Sequence, residues 1–179
     1  MAEGKYSKYI HELPKNEPRD YLEGKVNHMM VFDNKQCPET DLWFSVYQAY
    51  GDGGGHGMGD KWMHESLGEI TETAHAHEPP GDEIHLFFGS DPNNIDDLGG
   101  EVDIWLGCGD DAEKFTLTKR TAVFIPGGLS HSPFHFRKVN KGPIFQVVIL
   151  KGQIKPVSMG WIPEEIIKLK NLDWENKKD

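Results

Sequence analysis

This chain of 179 residues carries 29 acidic and 19 basic side chains, which gives a formal net charge of −10. That balance excludes a nucleic-acid-binding protein, because binding to phosphates requires Lys and Arg to neutralise them, and it disfavours an anionic membrane surface. The length predicts a single domain. We expect no membrane span, because no apolar run approaches about 20 residues.

The N-terminal part predicts an arm followed by two strands. Residues 1 to about 24 are polar and contain prolines, which indicates an arm that is weakly ordered or wraps a partner subunit. VNHMMVF and DLWFSVYQAY, within residues 25–50, are expected to be strands added to a sheet. No apolar segment typical of a secretory signal is visible, and the two cysteines have no partner at CxxC spacing. A cytoplasmic location is therefore expected.

A glycine-rich run occupies residues 51–60. Gly54 and Gly59 have the spacing of a phosphate-binding loop, but Asp60 stands where that motif requires lysine. We therefore predict a flexible loop that could act as a lid over a site, and His56 within this loop is a candidate to enter that site.

The middle of the chain contains short β-prone segments separated by Gly and Pro turns. They are LGEITETAHAH, EIHLFF, AVFIPGGLSH and PIFQVVIL. Such a series is typical of a sandwich or barrel. The acidic run SDPNNIDDLGGEVD lacks the residue order of a calcium loop and predicts a long hairpin connection between strands. Phe87, Trp105, Phe124 and Phe136 are expected in the core.

The C-terminal part predicts a helix. Pro163 suits the first helical turn, and the acids Glu164 and Glu165 beside it complement the dipole of a helix start. An apolar stripe follows at Ile166, Ile167, Leu169 and Leu172. The pattern indicates one amphipathic helix packed on the barrel or on a second subunit.

Four side chains have the composition of a transition-metal site: His75, His77, Glu83 and His131. Imidazole nitrogen suits Zn, Cu, Fe and Ni, and a carboxylate adds a hard oxygen and a negative charge. His75 and His77 are two residues apart, so they point to the same face of a strand. Pro and Gly then mark a turn, after which a returning strand would set Glu83 opposite the histidines. His131 must arrive from another strand, about fifty residues later.

These residues also resemble the two motifs of the cupin family. The first motif, Gly, His-x-His, Glu, Gly, is matched by Gly68, His75 to His77, Glu83 and Gly89. The second, Pro-x-Gly-x-x-His, is matched by the run from Pro126 to His131. Five residues separate His77 from Glu83, where three or four are usual, so Asp82 is an alternative ligand. His135 stands where cupins often have Asn.

The resemblance covers roughly residues 62–152 and implies an all-β fold. That fold is a cupin (double-stranded β-helix, or jelly-roll) barrel with an N-terminal extension and a short C-terminal helix. The implied organisation is an arm with added strands over residues 1–60, the barrel over 61–155, and the helix and tail over 156–179. It further implies one divalent transition metal per subunit (Fe, Zn, Mn or Ni), a small-molecule substrate and a homodimer.

Cupins with this ligand set include dioxygenases, isomerases, decarboxylases and lyases. The predicted function is therefore a metal-dependent enzyme that acts on a small oxygenated molecule, of the dioxygenase or the isomerase/lyase type. The alternative is a non-catalytic module that holds a metal and a ligand. His85 and His135 are the predicted acid–base residues, since imidazole titrates near neutral pH. Gln146 is expected to bond a ligand residue or substrate. Arg137 is expected at the surface, with a carboxylate-binding position at the mouth of the barrel as the alternative.

Overall fold

The computed structural model describes residues 9–10, 26–35, 37–52, 74–152 and 156–170. These residues form ten strands and one helix. The strands are β1 Val26–Phe32, β2 Leu42–Ala49, β3 His75–His77, β4 Glu83–Gly89, β5 Asp97–Leu106, β6 Glu113–Lys119, β7 Thr121–Ile125, β8 His131–Arg137, β9 Ile144–Lys151 and β10 Pro156–Ser158. The helix α1 is Glu164–Lys170, and a short 3₁₀ helix spans Gly109–Asp111.

The strands form two five-stranded sheets in which the paired strands are antiparallel. The first sheet has the order β1-β2-β9-β4-β7, and the second has the order β10-β3-β8-β5-β6. The chain passes from the first sheet to the second between β4 and β5, so the hairpin expected over the acidic run is wrong. β5 begins inside that run, at Asp97.

The hydrophobic core lies between the two sheets, because alternate residues of each strand point inward. It contains Trp43, Tyr47, Ala49, Phe87, Ile144, Val148 and Leu150 from the first sheet, and Leu98, Val102, Ile104, Phe134 and Phe136 from the second. The core positions predicted for Phe87 and Phe136 are thus confirmed. The one predicted for Phe124 is wrong, because this side chain is 58% exposed while the next residue, Ile125, is buried.

Helix α1 packs on the outer face of the second sheet. Trp105 points away from the central core and is buried with Ile162 and Ile166. The carbonyl of Pro163 accepts hydrogen bonds from the backbone N–H groups of Ile166 and Ile167, which closes the first turn. The predicted C-terminal helix is confirmed, and it covers the sheet of its own chain. Among the described residues, no helix has the length and apolarity needed to cross a membrane.

A buried carboxylate, Asp103, also lies on the outer face of the second sheet. Its side chain is 1% exposed and accepts hydrogen bonds from Arg137 Nε at 2.7 Å, from Arg137 Nη2 at 2.8 Å and from Thr116 Oγ1 at 2.7 Å. Lys114 Nζ is 3.1 Å away. Burial raises the pKa of Asp103, but these donors outweigh burial and lower it. Arg137 therefore serves this outer network, as its predicted surface position implied.

Candidate metal centre

Three of the four predicted ligands meet between the sheets. His77 lies on β3 and His131 on β8 of the second sheet, while Glu83 begins β4 of the first. Glu83 Oε2 is 3.2 Å from His131 Nε2 and 3.7 Å from His77 Nδ1. One potential ligand atom from each residue lies within 4.8 Å of the others, and all three residues are buried. Glu83 thus faces His77 and His131 across the core, from a strand of the opposite sheet.

The side chain of the fourth predicted ligand, His75, lies outside the described part of the structure. Its backbone is described, and β3 places it directly opposite His131 and Ser158. The backbone of His75 is therefore adjacent to the cluster, and its role as a ligand stays a prediction.

The turn before Glu83 and the turn before His131 are tied together. The backbone N–H of Gly127 donates to Asp82 Oδ1 at 2.9 Å. A Cβ at Gly81 would lie 2.5 Å from the carbonyl oxygen of Lys151, so only glycine allows this approach. Asp82 is exposed and holds the turn, whereas Glu83 is buried in the cluster. The structure therefore places Glu83, and not its neighbour Asp82, among the candidate ligands.

A hydrogen bond made by His131 determines which of its two ring nitrogens carries the hydrogen in the neutral form. His131 Nδ1 lies 3.0 Å from the carbonyl oxygen of Leu129. A carbonyl only accepts, so Nδ1 carries the hydrogen and Nε2 of the neutral ring carries a lone pair. That lone pair faces the carboxylate oxygen Oε2 of Glu83 at 3.2 Å. Two buried acceptors at this distance repel each other unless a proton or a metal cation lies between them.

The protonation states of Glu83 and His77 suit a metal cation. Burial raises the pKa of Glu83, but the nearby His85 and His131 outweigh burial and hold it well below its usual range. Burial lowers the pKa of His77 to about 4. At neutral pH the cluster therefore offers an ionised carboxylate and a neutral imidazole, which are the forms that bind metals. The residues present fit a divalent transition metal.

Behind Glu83, His85 and Gln146 form a buried chain of hydrogen bonds. His85 Nε2–H donates to Glu83 Oε1 at 2.6 Å, and the Gln146 side-chain amide donates to His85 Nδ1 at 2.8 Å. Both residues are fully buried. His85 was predicted to exchange protons with substrate, but both of its nitrogens are engaged by protein groups. Gln146 bonds His85, which is itself the partner of a candidate ligand.

His135 lies on the opposite face of β8 from the cluster. The pairing of β5 with β8 shifts register beside His131, so His131 and Phe134 both face the core although they are three residues apart. His135 is paired with Asp103 and shares its outward face. The acid–base role predicted for His135 is not supported, because the register shift turns its side chain away from the cluster.

Two further predictions fall on parts of the chain that the structure does not describe. Residues 53–73, which include His56, lie outside the described residues, so the lid and the entry of His56 into the site stay predictions. The same holds for the predicted arm, of which only residues 9–10 are described.

Comparison with known proteins finds similarity among solved structures. No protein-family model and no curated protein matches the chain. An oxalate oxidase in complex with the substrate analogue glycolate has a TM-score of 0.53 at 14% identity, covering 94% of this chain and 77% of its own. Peruvianin-I, a cysteine peptidase from Thevetia peruviana latex, has a TM-score of 0.54 at 14% identity, covering 89% and 82%. Oxalate decarboxylase from Bacillus subtilis has a TM-score of 0.51 at 14% identity, covering 98% and 40%.

These similarities, together with the two antiparallel sheets, show that the chain has a cupin fold. The predicted all-β class with one short C-terminal helix is confirmed. The chain spans 40% of the decarboxylase, and the three similar structures have different described activities. The fold therefore leaves the reaction open.

Proposed function

We propose that this protein is a metal-dependent cupin enzyme that acts on a small oxygenated molecule. One divalent transition metal per subunit would be held by His75, His77, Glu83 and His131. The observation that carries the proposal is the convergence of buried His77, Glu83 and His131, whose potential ligand atoms lie within 4.8 Å of one another. Within it, His131 Nε2 and Glu83 Oε2 are 3.2 Å apart, a contact that needs a proton or a metal cation between the two atoms. The ionised state of Glu83 supports the same conclusion.

The chemistry supplied by the bound metal would be polarisation of a substrate oxygen, or activation of O₂ if the metal is iron. The protein residues would hold and orient the metal. Glu83 would supply negative charge, and His77 and His131 would supply neutral nitrogens. Because these groups are at most 4% exposed, bulk water would be largely excluded from them.

The charge of the interior bears on the class of substrate. No Lys or Arg is found among the buried residues of the described chain. Phe134 and Phe87 instead pack near the cluster, with ring centroids 4.9 Å and 6.3 Å from that of His85. A substrate with two carboxylates, such as oxalate, would thus meet no described cationic side chain in the core. These features favour a ligand with one metal-binding oxygen group and an apolar remainder, in a dioxygenase or an isomerase/lyase reaction.

A specific observation also favours a second candidate, a module that binds a metal and a ligand without turnover. Both nitrogens of His85 are engaged, and His135 faces outward. Neither of the two predicted acid–base residues is therefore available at the cluster. Catalysis would then require a proton carrier from the metal-bound ligands, from the substrate or from the undescribed residues.

Elemental analysis of protein purified without chelator and without added metal tests the metal centre. We expect about one transition metal per subunit in the wild type and in Asp82→Asn, which is the matched control because Asp82 lies outside the cluster. His77→Ala and His131→Ala should lose most of it. Full stoichiometry in both alanine variants would overturn the proposed site.

An oxygen-electrode screen of diketones, enols and thiols then separates the possible activities. Iron with oxygen uptake would support a dioxygenase, whereas zinc, manganese or nickel without uptake would favour an isomerase or lyase. A stoichiometric metal with ligand binding but no turnover would favour the binding module. The homodimer implied by the resemblance stays a prediction, to be tested by light scattering.

A further inference from the structure

The two oxygens of Glu83 have different surroundings. Oε2 faces His131 at 3.2 Å and His77 at 3.7 Å, on the side where the candidate ligands converge. Oε1 lies on the other side and accepts the hydrogen of His85 Nε2 at 2.6 Å. A hydrogen bond to an ionised carboxylate is shorter and about twice as strong as one between neutral groups. Oε1 is therefore committed to His85.

His85 is itself fixed by its neighbours. Its backbone is in the middle of β4, paired with Val123 on one side and Val148 on the other. Its ring packs against Phe134, and the amide of Gln146 donates to Nδ1 at 2.8 Å. An imidazole can accept at one nitrogen while it donates at the other, so Gln146 selects the form of His85 that donates to Glu83.

We propose that His85 and Gln146 are positioning residues that restrict Glu83 to binding the metal through a single oxygen, Oε2. This inference rests on the proposed metal centre and deepens it. A two-oxygen carboxylate would take an additional coordination position. With Oε1 held by His85, that position stays open for an oxygen of the substrate. Partner residues that orient metal ligands typically change metal affinity by about 10–100-fold when they are replaced.

The test uses the full chain loaded with Co²⁺, whose visible absorption depends on the number and geometry of its ligands. His85→Leu removes the donor to Oε1, so Glu83 can turn and bind through both oxygens. We expect an altered Co²⁺ spectrum and an affinity weaker by about 10–100-fold. His85→Gln should restore the spectrum and most of the affinity, because its terminal amide nitrogen can donate near the position of Nε2.

Phe87→Leu is the matched control for lost packing. Phe87 is buried on the same face of β4, two residues after His85, and is not a candidate ligand. We expect this variant to be less stable but to keep the wild-type Co²⁺ spectrum and affinity. An equal effect of Phe87→Leu and His85→Leu on the spectrum would overturn the positioning role, because core packing alone would then explain it.

A second variant keeps the inference testable if His85→Leu does not fold. Gln146→Met keeps His85 but removes the N–H that fixes its form, and should change the spectrum in the same direction by a smaller amount. Wild-type affinity and spectrum in every folded variant at positions 85 and 146 would overturn the positioning role and leave the metal centre standing. A wild-type protein that binds no Co²⁺ would overturn the metal centre and this inference together.

Discussion

The replacement Glu83→Gln separates the stability of the apo site from its capacity to bind a cation. The side chains have nearly the same shape, so the remaining oxygen can still accept the His85 hydrogen at the present distance of 2.6 Å. The new amide nitrogen would take the place of Oε2, 3.2 Å from His131 Nε2. Because His131 Nδ1–H donates to Leu129, Nε2 can accept this new hydrogen bond. A contact between two acceptors becomes a hydrogen bond.

Two effects of opposite sign set the size of the change. The hydrogen bond gained contributes about 0.5–1.5 kcal/mol. The ionised carboxylate is lost, and it stabilises the folded state because its pKa is lowered there. We therefore expect the stability of the metal-free variant to lie within about 1 kcal/mol of that of the metal-free wild type. Its metal affinity should fall by more than the roughly 10–100-fold typical of residues that only orient a ligand, because a charged ligand is lost.

Urea unfolding in the presence of a chelator at pH 8 measures the stability difference. This pH is above the ordinary imidazole pKa of about 6.5. A difference of about 1 kcal/mol shifts the midpoint by roughly 0.3–1 M urea, and calorimetric titration with Co²⁺ gives the affinity. The reasoning would be refuted by a metal-free variant that is destabilised by more than about 1 kcal/mol, or by one that keeps wild-type affinity. Asp82→Asn should keep that affinity.

Two further predictions concern the outer face of the second sheet. Asp103→Asn leaves Arg137 without a buried carboxylate partner, and we expect a loss of about 2–3 kcal/mol in urea unfolding, below the 3–5 kcal/mol typical of fully buried pairs because Arg137 is 30% exposed. Because the pKa of Asp103 is lowered in the folded state, its ionised carboxylate stabilises the fold fully above the ordinary pKa of about 4, and this contribution is lost as the pH falls through the lowered value. On acidification the wild type should therefore lose more stability than Asp103→Asn. Equal losses in the two proteins would contradict the proposed network. Ile166→Ala removes a fully buried helix side chain and should cost about 2–5 kcal/mol, whereas an unchanged melting temperature would show that α1 does not contribute to the fold.

The sequence predicted those parts of the site that depend on local pattern. His77, Glu83 and His131 each follow or begin a short β-prone segment, and their residue types and order along the chain are enough to define a ligand set. The strands β2, β4 and β9 were predicted for the same reason, since their β-prone residues are consecutive in the chain. The C-terminal helix carries its start signals, Pro163 and two acids, within three residues.

The errors arose where the outcome depends on distant pairing. Phe124 and Ile125 are both apolar, and only the neighbouring strands determine which of them faces the core. His135 was misplaced because the register shift beside His131 depends on the partner strand β5, about thirty residues earlier. The choice between Asp82 and Glu83 was also open, since it is decided by the distant backbone N–H of Gly127.

The division of the cluster between the sheets has a consequence for folding order. His77 and His131 come from neighbouring strands of one sheet, while Glu83 is held by strands β7 and β9 of the other. Each sheet alone therefore contains only part of the cluster, and the long loops that join them must close first. A metal ion that requires all of these groups would bind only after the two sheets have packed together. The rate of metal binding in a refolding experiment would therefore report when this late, long-range step of folding occurs.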